Sequence, residues 1–202
     1  MNTSKILSLI LICAFMMTIQ FQSVSSAEPG GALAVSGVGT INLPDWLEAK
    51  AAKGLEGQQN AGQQFDLIGL SKETWHYARL ISYKVEQDLG PAALLFSMAD
   101  SNPQVLELMS GLIRPMLTKN LEENGGKVLE WYPAKKASFG GRNVPVLTAR
   151  LIMTDKVPLP MFATVYVFMQ GDRPSGLGIF CPDSDRLFWT PLFSQMVSQM
   201  KP

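Results

Sequence analysis

The sequence predicts an α+β domain: one antiparallel sheet of about six strands, with a long helix and a C-terminal helix packed on it. Three observations carry that reading. Apolar and aromatic residues alternate with period two in several adjacent runs and are not separated by helices. A single long stripe at helical spacing lies mid-chain. A second, shorter amphipathic stretch closes the sequence. The 202 residues are 47% hydrophobic and 17% charged, which excludes a disordered chain. Lys and Arg number 17 against 17 Asp and Glu, so the basic excess of a nucleic-acid binder is missing.

The first segment reads as a leader outside the fold. Lys5 precedes Ile6–Ile19, a run without charge, and Gln20 and Gln22 break that run. Ser25, Ser26 and Ala27 supply the small residues a signal peptidase reads. Residues 1–27 are expected to be a signal peptide, cleaved between Ala27 and Glu28. The run is short for a permanent span of about 20 residues, so no transmembrane segment is expected after cleavage. Cys13 is preceded by Ile12 rather than by a small residue, which argues against lipidation. The expected location is periplasmic or extracellular.

Residues 28–37 are small and Gly-rich and read as a flexible leader, with a single domain over 38–202. Val38–Leu43 reads as a short strand, and Pro44-Asp45-Trp46-Leu47 as the start of a short helix. Gly54–Gln64, rich in Gly and Gln, reads as a loop. Phe65–Leu70 suits a strand. Trp75–Val85 alternates clearly, with Trp75, Tyr77, Arg79, Ile81 and Tyr83 on one face and His76, Ala78, Leu80 and Ser82 on the other. Ala92–Met98 is an apolar run of strand length.

Pro103 suits a first helical position, with Asn102 as its cap. Val105, Leu106, Met109, Leu112, Ile113, Met116, Leu117 and Leu121 then make the long stripe, and Gly125-Gly126 ends it. Pro115 lacks an amide hydrogen and crowds the preceding turn, so a kink or a helix in two pieces is expected. Strands follow at Lys127–Tyr132, Ala137–Phe139, Val144–Thr154, Met161–Gln170 and Leu177–Cys181. The last helix is expected over Pro191–Met200, capped by Thr190, with Leu192, Phe193, Met196, Val197 and Met200 on its apolar face.

This order of elements, with the turn sequence Gly141-Arg142-Asn143-Val144-Pro145-Val146 before a long hairpin and a terminal amphipathic helix, resembles the PsbP/Mog1-like group. The resemblance implies an α-β-α sandwich around an antiparallel sheet. It also implies a binding or assembly factor, like uncharacterised exported bacterial members of the group. It carries over no functional residue.

The residues offer little recognisable chemistry. His76 is the only histidine, it lies in an alternating strand, and no Gly-x-Ser-x-Gly accompanies it. A structural or solvent-facing role is the simpler reading. One His and one cysteine beyond the leader, Cys181, cannot build a standard zinc site. Asp183 and Asp185 lack the Gly and distal Glu of a calcium loop and read as a solvated turn that starts the last helix. Gly37-Val38-Gly39 precedes a strand and not a helix, so it is no dinucleotide fingerprint. Lys135-Lys136 is too short a basic run for nucleic acid or a membrane surface.

Cys181, beside Ile179 and Phe180, is expected to be a lone buried thiol. The eight methionines beyond the leader read mainly as core filling. No catalytic, cofactor or metal residue is therefore assigned. The expected function is an exported, non-enzymatic binding or assembly module with an unknown protein or envelope partner. The alternative is a small envelope hydrolase using carboxylates (Glu122-Glu123, or Asp183 with Asp185) and His76.

Overall fold

The computed structural model describes residues 26–52, 63–84, 103–123, 126–153, 158–170 and 173–201. Ten strands and two α-helices lie in these stretches: β1 (Ala32–Val35), β2 (Gly39–Asn42), β3 (Leu47–Ala51), β4 (Gln64–Ser71), β5 (Thr74–Lys84), α1 (Pro103–Glu123), β6 (Gly126–Trp131), β7 (Lys135–Phe139), β8 (Arg142–Met153), β9 (Pro160–Gln170), β10 (Arg173–Pro182) and α2 (Arg186–Ser198). A single 3-10 turn, Asp183–Asp185, leads from β10 into α2. The class is α+β, as expected.

The sheet is larger than the six strands expected. Eight strands run in the order β3-β4-β5-β10-β9-β8-β6, with β7 also paired to β8. Every pairing is antiparallel. The 12-residue β8 has room for two short partners end to end, β6 beside its second half and β7 beside its first. A register shift between Val128 and Glu130 leaves Leu129 as a bulge.

The two faces of the sheet differ. The inner face is the main core. Leu47, Phe65, Leu67, Ala78, Leu80, Val146, Tyr166, Leu177 and Ile179 point into it, and α2 covers it with Trp189, Phe193, Met196 and Val197. Trp189 and Val197 are fully buried. Each such side chain contributes on the order of 1.5–3 kcal/mol. The outer face holds a smaller cluster of Leu151 and Ala163, with Val128, Met161 and Phe180 against it. On this face α1 meets β6: Trp131 Nε1 donates to Thr118 Oγ1 at 3.3 Å, and the Arg114 guanidinium lies 5.9 Å from the Trp131 ring centre.

Several expectations are corrected. Residues 28–37 do not all form a loose leader. Ala32–Val35 pairs with β2, and Leu33 and Val35 are buried in the inner core. Two apolar side chains at spacing two are enough to anchor a strand despite the surrounding glycines. Residues 44–47 start no helix. Leu47 opens β3, and Leu47 and Ala49 alternate into the core opposite Gly69 and Leu67. The last helix begins at Arg186 rather than Pro191, and Pro191 lies inside it. At its sixth position Pro191 lies past the four free amides of the first turn, so the Leu187 carbonyl loses its helical hydrogen bond there. Helix α1 continues through Pro115 in one piece, not two. The apolar run 92–98 and most of the 54–64 loop fall outside the described residues, as does the Asn102 cap.

Strands β4 and β5 join through two residues, Lys72 and Glu73, at φ of 49° and 66°. Both values lie in the left-handed region that a type I′ hairpin turn requires and that glycine or asparagine usually supplies. Gly69 is required for a different reason. A Cβ there would lie 2.6 Å from Cε3 of Trp46, whose indole covers this position. Two outcomes follow, both read by urea unfolding. Glu73→Gly relieves the turn and stabilises the domain by about 1 kcal/mol. Gly69→Ala overpacks the indole and costs about 2 kcal/mol.

Candidate functional site

The register carries several residues from distant parts of the chain to one end of the inner face. Gly69 pairs with His76, Cys181 with Phe162, Phe162 with Arg150, and Arg150 with Glu130. The 3-10 turn after β10 drops Asp183 and Asp185 into this row, and the first turn of α2 adds Arg186 and Phe188. Two groups result, one aromatic and one ionic.

The aromatic group surrounds His76. Its imidazole stacks on Phe188, with ring centres 3.6 Å apart and planes 4° from parallel. Trp46 meets both rings at an angle, 6.4 Å from His76 and 5.5 Å from Phe188. The absent side chain at Gly69 makes room for that indole. His76 Nδ1 lies 3.5 Å from Asp185 Oδ2, with the imidazole 11% exposed. His76 and Asp185 are thus brought together, as a hydrolase would need. Their order is wrong for a serine relay, however. Ser184 Oγ donates to Asp185 Oδ1 at 3.2 Å, so the carboxylate, not the imidazole, holds the hydroxyl.

The ionic group centres on Asp183. Arg150 Nη2 reaches its Oδ2 at 2.7 Å, and Arg186 Nη1 reaches its Oδ1 at 3.3 Å. Glu130 lies 3.8 Å from Arg150 on the neighbouring strand. Arg186 also donates to the Tyr132 hydroxyl at 3.3 Å, and Arg114 of α1 donates to the Tyr132 carbonyl at 2.9 Å. Asp183 is therefore not the solvated turn residue expected. It is the shared acceptor that ties β8 to the start of α2. The hydrogen bond to Asp183 holds the Arg150 guanidinium above its ordinary range. Burial, then the Glu130 hydrogen bond, pushes the Tyr132 phenol up.

Of the other sequence candidates, Glu122 lies exposed on the last turn of α1. Cys181 is 1% exposed. Burial first, then the carboxylates of Asp185 and Asp183, push its thiol up to about 12. Among the described residues no three His, Cys, Asp or Glu side chains gather as metal ligands would. No helix there is long and apolar enough to cross a membrane.

A third feature lies on the opposite, outer face. Trp75 is 68% exposed, Leu70 45% and Tyr77 39%. Leu70 pairs directly with Trp75, and Ile68 with Tyr77, so these side chains form a ladder behind the hairpin turn. Next along the ladder, Asp66 pairs with Arg79. Asp66 Oδ1 accepts from Tyr77 Oη at 2.8 Å and from Arg79 Nε at 2.9 Å. Burial and the Asp66 hydrogen bond push the Tyr77 phenol up.

No family model matches the chain, and no curated protein does. Two of the solved structures similar to this chain are the following. One is cyanobacterial PsbP (CyanoP) from Synechocystis sp. PCC 6803, with a TM-score of 0.48 and 11% identity, covering 93% of this chain and 98% of that one. The other is LpqN of Mycobacterium tuberculosis, described as involved in cell envelope biogenesis. Its TM-score is 0.40 and its identity 9%, covering 89% of this chain and 90% of that one. Likeness at this level transfers no residue role and no activity.

No sequence motif marks Arg150, Arg186, Tyr132 or Phe188. Only the Asp183-x-x-Arg186 spacing and the opposite charges of Glu130 and Arg150 hinted at them. Cys181 yields a direct outcome. At pH 8 to 9 a disulfide reagent labels the native thiol only as fast as the domain opens, and labels it at once in denaturant. Because the folded thiol ionises later than the unfolded one, its contribution to stability is complete below about pH 9. That contribution is lost as pH rises towards about 12. Unfolding midpoints measured from pH 8 upwards, for the natural chain and for Cys181→Ala, are expected to converge.

Proposed function

We propose that this chain is an exported, non-enzymatic binding or assembly module that works through the outer face of the β4–β5 hairpin. One observation carries the reading: Trp75, Leu70 and Tyr77 stand exposed together beside an ordered Asp66–Arg79 pair. Single exposed apolar residues are ordinary, but a contiguous ladder of them marks an interaction site. Trp, Tyr and Arg are also the residue types that dominate binding energy at interfaces. Here they occupy positions 75, 77 and 79 of one strand face. The export half of the proposal rests on the leader: Lys5, the apolar run Ile6–Ile19 and the Ser25-Ser26-Ala27 site.

The arrangement at His76 supports a second reading, a small hydrolase, because an imidazole lies beside a carboxylate. Against it, Phe188 covers one face of the imidazole, and Asp185 already accepts from the Ser184 hydroxyl.

A photo-crosslinking amino acid placed at Tyr77, with Leu187 (81% exposed on α2) as control site, separates the two readings. The binding module gives a product from position 77 in the envelope fraction. Excess natural protein competes it away, and Trp75→Ala protein competes at least 10-fold less well. A position-77 product that is absent, or equal to that from position 187, overturns the proposal. N-terminal sequencing of the protein from its host checks export, with Glu28 expected first.

A further inference from the structure

The hairpin face makes a choice among occupants, and the following rests on the binding reading above. We infer that it is a platform for a neutral, β-linked polysaccharide strand, with Trp75 and Tyr77 as stacking rings and Asp66 and Arg79 as hydrogen-bonding groups.

Four observations select this chemistry. First, the rings are placed for stacking along a line. Residues two apart on a strand stand on the same face, roughly 7 Å from one another. The electron-rich face of an aromatic ring attracts the polarised axial C–H groups of a pyranose, and β-linked sugars present such faces in a flat ribbon. Second, the polar groups are pinned. Asp66 Oδ1 gathers the Tyr77 hydroxyl and the Arg79 guanidinium. Both side chains keep part of their surface open to solvent, from which they can serve equatorial hydroxyls. Planar groups fixed before binding cost little entropy when a ligand arrives.

Third, the face is electrically neutral. Its two ion pairs, Asp66–Arg79 and Glu48–Lys50, carry equal and opposite charges. An acidic or basic partner finds no complementary field. Fourth, the patch is small. The exposed parts of Trp75, Tyr77 and Leu70 come to about 350 Å² together. That lies in the range of functional patches on monomers, but well below the roughly 800 Å² that each side of a stable protein pair buries. A narrow chain needs no more. A lipid surface is disfavoured by the apex, where Lys72 and Glu73 stand in front of Leu70 and Trp75.

The test is depletion of the purified protein from solution by insoluble chitin, cellulose and β-1,4-mannan, each titrated to saturation. At least one matrix is expected to retain the protein. Trp75→Ala weakens that retention at least 10-fold, Tyr77→Ala about 5-fold, and Trp75→Phe much less, since a ring remains. Leu187→Ala leaves it unchanged. Trp75 and Tyr77 are on the outer face, so these variants keep the inner core, and an unaltered unfolding midpoint verifies it. Failure of all three matrices to retain the protein overturns the inference, as does retention indifferent to Trp75→Ala.

The crosslink at position 77 tells the two failures apart. A competed product sensitive to protease, without glycan retention, means a protein partner and leaves the binding reading standing. Concentration-dependent sedimentation abolished by Trp75→Ala means that a second copy is the occupant, and likewise overturns only the glycan. Neither product nor retention removes both readings.

Discussion

Covering one face of the sheet is the constraint from which the rest of the structure follows. A strongly apolar inner face, from Leu47 on β3 to Val146 on β8, has to be removed from water. Helix α2 alone is too narrow to do so. It seals the middle with Trp189, Phe193 and Val197, and the β1–β2 hairpin extends the cover with Leu33, Val35 and Ile41. Backbone hydrogen bonds stitch the two covers to the sheet and to each other. Gly140 N donates to the Val197 carbonyl, and Thr40 N to the Lys201 carbonyl. The polar cluster around Asp183 exists because this cover has an end. Where α2 begins, Trp46 and Phe188 fill only part of the gap between strand ends and helix start, and arginines and carboxylates beside them pair with one another.

That origin explains why the cluster reads as a joint rather than a reaction centre. Its charges cancel: two arginines on Asp183, with Glu130 beside one of them. An imidazole flattened against Phe188 has one ring face taken. The groups hold α1, β6, β8, the turn after β10 and α2 in fixed relation, largely through both ends of the Tyr132 residue. By contrast, the outer hairpin face has no such structural duty. Its aromatic side chains are exposed, and their polar neighbours are already ordered.

The strands with strong alternation were legible from sequence to within a residue or two, because period two is imposed by the pleat itself. Trp75–Val85 is the clearest case, observed as Thr74–Lys84. Its division into two faces also stated in advance which side chains stand beside Trp75. Two elements escaped. Ala32–Val35 is built of small residues, and only its partner β2 reveals that Leu33 and Val35 point inward. Leu47–Ala51 begins right after a Pro-Asp pair that imitates a helix start, whereas its pairing with β4 decides the matter. The cluster at Asp183 was illegible for a related reason. It depends on pairings summed across β4, β5, β10, β9, β8 and β6, and a one-residue slip in any of them would turn its members to the other face.

The two margins of the sheet are finished differently, and both finishes shut out further strands. On one side β3 is only five residues long and carries the charged pair Glu48 and Lys50. On the other, the margin is broken into β6 and β7, bent by the Leu129 bulge and marked by Lys127, Lys135 and Lys136. Short, kinked, lysine-bearing margins are poor templates for pairing with a strand of another chain.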